Sequence, residues 1–180
     1  MKAQTDIRIK YFVTIFCFMA LYLFSLVAHA GEGERKGFLI GFGPRVGYEA
    51  GTLDRAFGGF EFRIGAGLSE KFLLYYEGVT DFSHKLHKDY FANDSQIKAQ
   101  YFLWKNLYGN AGLGLTVGEI DTGTALHQSK LDFVTSAALG YEFRPGKRFF
   151  VAPEVGDSYR RIESRNFHSP AFGIHLGWYF

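Results

Sequence analysis

From Gly37 to Phe180 apolar and polar residues alternate with a period of two, in segments separated by short polar clusters, and no segment repeats at helical spacing. The pattern predicts strands at Phe38–Glu49, Phe57–Leu68, Phe72–Phe82, Gln96–Trp104, Leu107–Ile120, Leu131–Phe143, Phe149–Arg160 and Ala171–Phe180. Most have the length, about 9–11 residues or slightly more, that a tilted strand needs to cross a bilayer. Three connections are tight: Ser69-Glu70-Lys71, Lys105-Asn106 and Arg144-Pro145-Gly146-Lys147. Four are longer: Ala50–Ala56, Ser83–Ser95, Asp121–Lys130 and Arg161–Pro170. With an even strand count, both termini and all tight turns fall at one end and all longer loops at the other, as in a membrane-inserted meander.

The alternation separates two faces. One carries Phe38, Ile40, Phe42, Phe60, Phe62, Leu74, Leu115, Leu139, Val155 and similar residues, almost without charge. The other carries Arg45, Glu49, Glu61, Arg63, Glu77, Asp81, Lys98, Gln100, Asn110, Thr116, Asp132, Ser136, Glu142, Glu154, Arg160 and His175, interspersed with glycines such as Gly43 and Gly114.

Alternation alone does not say which face is inside, because a soluble barrel would bury the apolar face. Three features favour the inverse arrangement. Glycines crowd the polar face, as a narrow interior requires; aromatic residues gather near strand ends, as in interfacial girdles; and the loop lengths alternate. The expected fold is therefore all-β, an eight-stranded antiparallel up-and-down transmembrane β-barrel.

The N-terminal thirty residues read differently. Lys2, Arg8 and Lys10 precede an apolar run from Tyr11 to Val27, and Ala28-His29-Ala30 places small residues two apart before Gly31. This is a secretory signal with cleavage after Ala30, so the mature domain is expected at 31–180. A retained membrane anchor is the alternative, although the run is at the lower limit for spanning. Removing the signal takes away three of the 20 Lys and Arg and one of the 18 Asp and Glu, leaving a formally neutral chain with no general attraction to nucleic acid. Cys17, the single cysteine, lies in the signal, which excludes disulfide and thiolate-metal chemistry from the mature chain.

The last segment places Phe172, Ile174, Leu176, Trp178 and Phe180 at every second position and ends on phenylalanine. This resembles the C-terminal signal by which bacterial outer-membrane barrels are recognised. In layout, Gly37 to Phe180 resembles the small eight-stranded outer-membrane barrels, such as the membrane domain of the outer-membrane protein A group and the opacity-protein-like porins. The resemblance implies bacterial outer-membrane localisation, delivery by the barrel-assembly machinery and a monomer.

Hairpin registers read from the turns place Arg45 opposite Glu61, Arg63 opposite Glu77 and Asp132 opposite Arg160. An interior braced in this way is filled by its own side chains and sealed. The inward acids outnumber the bases, so any leak would weakly prefer cations. Lys85, Lys88, Lys130, Arg161 and Arg165 are candidate contacts for lipopolysaccharide phosphates. His84, His87 and Asp89 lie close together in a loop but lack a fixed scaffold for a metal, and no metal or cofactor is expected. His168-Ser169 invites comparison with the lipid A deacylase barrels, yet there the two residues are separated by one position and followed by asparagine; here they are adjacent and followed by Pro170. The Gly109–Gly114 segment has no phosphate-loop pattern and reads as a strand. The expected function is non-enzymatic, an envelope-structural or surface-contact role with outer-membrane lipid and lipopolysaccharide as partners. A narrow channel for small solutes is the first alternative and a lipid A-modifying enzyme the second.

Overall fold

The computed structural model describes residues 35–180 apart from 51–53, 86–87, 122–125, 129–130, 146 and 163–164, and the side chains of 84–89, 119–130 and 162–165 are likewise not described. Residues 1–30 and the cleavage point after Ala30 lie outside the described residues. Ten strands follow in order: β1 Gly37–Glu49, β2 Arg55–Gly67, β3 Phe72–Lys85, β4 Lys88–Trp104, β5 Leu107–Asp121, β6 Leu126–Gln128, β7 Asp132–Tyr141, β8 Phe149–Ile162, β9 Arg165–His168 and β10 Ala171–Tyr179. Eight long strands, all but β6 and β9, pair antiparallel with their neighbours, and β10 closes the ring between β8 and β1. The fold is a closed eight-stranded antiparallel barrel.

The short β6 and β9 extend β5 and β8 into hairpins beyond the barrel proper. The segment Ser83–Ser95, expected as a loop, is instead mostly strand: β3 runs to Lys85 and β4 starts at Lys88, paired throughout. Polar side chains on the outer face hid this ladder from the alternation. Two of them are satisfied across it, Thr80 Oγ1 donating to Asn93 Oδ1 (2.7 Å) and Tyr76 meeting Ser95 (3.0 Å).

Two registers also differ from expectation by two residues. Arg45 lies opposite Gly59 and Glu61 opposite Gly43, because the β1–β2 ladder continues to Glu49 and Arg55. Arg160 lies opposite Val134, not Asp132, since the turn after β7 is displaced toward β8 and Phe143 bridges Val151. The pairing of Arg63 with Glu77 is as read from the Ser69–Lys71 turn.

The apolar face points outward. Leu113 and Val155 are 62% and 61% exposed and Leu115 is 45% exposed, whereas Glu77, Arg160 and His175 have no exposure at all. In water this belt would be an oversized apolar patch; in a bilayer it is the surface that lipid covers. The polar face converges on an interior so narrow that some positions exclude a side chain. A Cβ at Gly43 would lie 1.8 Å from the Ile174 carbonyl oxygen, and one at Gly114 would lie 2.0 Å from that of Ser95.

Candidate functional site

The lumen is filled in layers, counted here from the end that carries the tight turns. At its floor, Arg35 links two of the turns to Glu142, just ahead of the third. Its guanidinium donates to Glu142 Oε1 (3.0 Å), to Asn106 Oδ1 (2.6 Å) and to the Glu70 carbonyl (3.4 Å), and stacks 3.8 Å from the Phe102 ring centre. Tyr179 donates to the other oxygen of Glu142 (2.7 Å), and Arg144 lies over the Tyr179 ring. Above this floor Leu39, Leu73, Tyr75, Phe102, Tyr108, Phe150, Ala152 and Tyr179 form a buried apolar and aromatic layer. A polar lumen was expected throughout, yet this layer is apolar and aromatic.

The middle layer is ionic. Arg63 donates to Glu77 (2.6 Å) and Glu154 (2.7 Å); Lys98 pairs with the second oxygen of Glu77 (2.5 Å); and Arg45 donates to Glu61 (2.9 Å), so that pair forms diagonally despite the shifted register. Glu154 also accepts from Tyr108 (2.9 Å) and Asn110 (2.8 Å). His175 lies 3.2 Å from Glu61 and 3.8 Å from Glu154. These three residues lie within ligand reach of one another, but Arg63 and Arg45 already hold the same carboxylates, so the cluster is neutralised without a metal.

Toward the loop end the hub is Arg160. Its guanidinium meets Asp94 (2.9 and 2.7 Å), Asp81, Glu49 (3.2 Å) and Ser169 (3.1 Å). Ser169 donates to Glu49 (2.8 Å), and Arg45 reaches Asp81 (3.3 Å), tying this layer to the one below. A void of about 20 Å³ lies among these inner groups, room for about one water molecule.

Of the twelve charged or histidine residues expected inside, eleven are buried: Arg45, Glu49, Glu61, Arg63, Glu77, Asp81, Lys98, Glu142, Glu154, Arg160 and His175. Asp132 is the exception. It is half-buried, and its carboxylate accepts the Phe133 N–H at the end of β7. Sequence reasoning missed Asp94, Arg55, Gln96, Ser158 and Ser169, all buried. Asp94 falls in the segment expected as a loop, although it continues the even-numbered series of Gln96, Lys98 and Gln100.

His168 and Ser169 point to opposite sides of the wall. Ser169 is fully buried in the Arg160 cluster, while His168 is outside, its Nδ1 3.0 Å from Asp157 Oδ2. Along β10 and the residue after it, Phe172, Ile174, Leu176, Trp178 and Phe180 all line the outer face, with Trp178 packed between Phe42 and Phe149. Of the candidate lipopolysaccharide contacts, Arg161 is exposed beyond the belt. Lys130 lies outside the described residues, and so do the side chains of Lys85, Lys88, Arg165, His84, His87 and Asp89.

No protein-family model matches this chain, and no curated protein matches it in sequence. Solved structures do. Neisserial surface protein A superposes with a TM-score of 0.70 at 13% identity, over 79% of this chain and 97% of that one. Ail, the attachment invasion locus protein of Yersinia pestis, gives 0.58 at 10% identity over the same shares, and its complex with the heparin analogue sucrose octasulfate gives 0.57 at 11%. At such identities the likeness is one of fold: the chain has the architecture of the small eight-stranded outer-membrane barrels.

Proposed function

We propose that this chain is exported, loses residues 1–30, and resides in the bacterial outer membrane as a sealed, non-enzymatic monomeric barrel that supports the envelope and offers its loop end for surface contacts. The observation that carries this reading is the filled lumen. The aromatic layer and two braced ionic layers pack the interior around a void of about 20 Å³ among the lumen charges, and an eight-stranded barrel is just wide enough for side chains to fill. With the interior committed to packing, the wall and the loop end are what remain to meet other molecules.

The outward row of β10 from Phe172 to Phe180 would present the assembly signal to the barrel-assembly machinery. Arg161 together with Lys85, Lys88, Lys130 and Arg165 would meet lipopolysaccharide phosphates, each cation near such a surface contributing about 1 kcal/mol. Two barrels with this fold bear the names of a surface protein and an attachment protein, an analogy of scaffold that makes a surface role the natural first test.

Location is tested by fractionation: the full chain should partition with the outer membrane and migrate differently in gels before and after heating. Sealing is tested in planar bilayers. Reproducible single-channel openings that change on Glu154→Gln or Arg45→Ala would retire the sealed barrel in favour of a narrow channel.

A further inference from the structure

Outside the lumen, the most developed feature is a groove of about 610 Å³ on the lipid-facing wall. Its floor is a single hydrogen-bonded row across three strands, Ala99 opposite Ala111 and Ala111 opposite Ala137; its walls are Tyr101, Leu139 and Val155. The same row continues one strand further to Asp157, which lies opposite Ala137. Three strand spacings make this path about 14 Å long. Strands tilted as in a small barrel make the row slope through the membrane, from mid-depth at Ala99 to the loop-side rim at Asp157.

At that rim the wall changes character. Asp157 follows Val155, the last aliphatic residue on the outer face of β8, and its carboxylate lies 3.0 Å from His168 Nδ1. Tyr159 lies opposite His168 with their ring centres 5.3 Å apart, and Arg161, two positions further along the same face, is exposed. The apolar trough thus gives way at the loop-side rim to Asp157 with its histidine partner and, beyond Tyr159, to the cation Arg161.

We propose that this wall binds one phosphorylated lipid of the outer leaflet, with an acyl chain along the Ala99–Ala111–Ala137 groove and a headgroup phosphate against Arg161 and His168. The proposal rests on the outer-membrane reading above and gives its lipid contact a definite place. A lipid fits better than a second copy of the chain: apolar surfaces gain nothing by leaving lipid for each other, and the cationic end of the trough matches a phosphate.

Native mass spectrometry of the refolded full chain tests this, with lipid A and dephosphorylated lipid A as probes. Ala111→Phe, or Ala137→Leu if the first variant does not fold, should weaken retention of both lipids. Arg161→Ala with His168→Ala should lower the preference for the phosphorylated form, by about fivefold for loss of the Arg161 cation, and leave the dephosphorylated form unchanged. Equal retention of both lipids by the groove variants and the parent overturns the groove. If binding survives there but is lost in Lys85→Ala/Lys88→Ala, lipid contact belongs to the loops and this site fails while the broader reading stands. A protein dimer in place of a lipid adduct also overturns it.

Discussion

Replacing Arg160 with methionine tests whether the lumen is dry. The guanidinium is fully buried and holds Asp94 through two contacts, together with Asp81, Glu49 and Ser169. Methionine fills part of the space but leaves the carboxylates without their shared cation. Removing one partner of a buried ion pair costs about 3–5 kcal/mol, and with several acids sharing one base we expect the upper part of that range. Urea unfolding of the refolded protein, followed by Trp104 and Trp178 fluorescence and by heat-modifiable migration, measures it. Asp94→Asn in the Arg160→Met background removes one stranded charge and should restore part of the loss, since residues of one network do not act additively. A loss below about 1 kcal/mol, the size for solvated pairs, would mean that water reaches the cluster. The sealed lumen would then be wrong.

Arg35→Ala should cost about 1.5–3 kcal/mol in the same assay, the worth of hydrogen bonds to a charged group, and leave planar bilayers non-conducting because the aromatic layer stays in place. Gly43→Val should give no heat-modifiable species, since its Cβ would overlap the Ile174 carbonyl. Ser169→Ala should lower stability by about 1–3 kcal/mol, while mass spectra of lipid A from cells with and without the protein should match; a change in lipid A composition would argue for the enzyme. N-terminal sequencing of the protein from outer membranes should begin at Gly31, and a chain beginning at Met1 would argue for a retained anchor.

The ring of eight strands and the direction its faces point were legible because a barrel wall one residue thick writes inside and outside onto alternate positions. Where the wall leaves the belt the code changes. Asn93 and Ser95 point outward and are polar, so the ladder through Asp94 read as a loop, and the strongest partner of Arg160 went unseen. The inward tyrosines failed for another reason. Tyr75 and Tyr179 share the parity of Glu77 and His175, but an aromatic ring counts as apolar when faces are sorted by hydropathy. Only the structure shows the Tyr179 hydroxyl satisfied on Glu142 while its ring fills the apolar layer. Register was the least legible feature, because one extra rung at the end of β1 or a displaced turn before β8 moves every cross-strand partner by two while leaving the faces unchanged.

That two-residue tolerance bears on how the lumen works. Arg45 was expected directly opposite Glu61, is not, and pairs with it nonetheless at 2.9 Å. Long side chains in a narrow interior reach diagonal partners, and Arg45 and Arg63 each hold more than one acid. Charge inside the barrel is therefore shared through networks of partners, and the wall need not align each base with one acid. The outer wall has no such freedom. A groove exists only where small side chains fall on one hydrogen-bonded row, so a register error of two between β5 and β7 would put Leu113 or Gly109 in place of Ala111 beside Ala137 and break the path to Asp157. Any specificity this protein has for a molecule around it should thus be more sensitive to register than its stability is, and substitutions on the outer row should change lipid retention without unfolding the barrel.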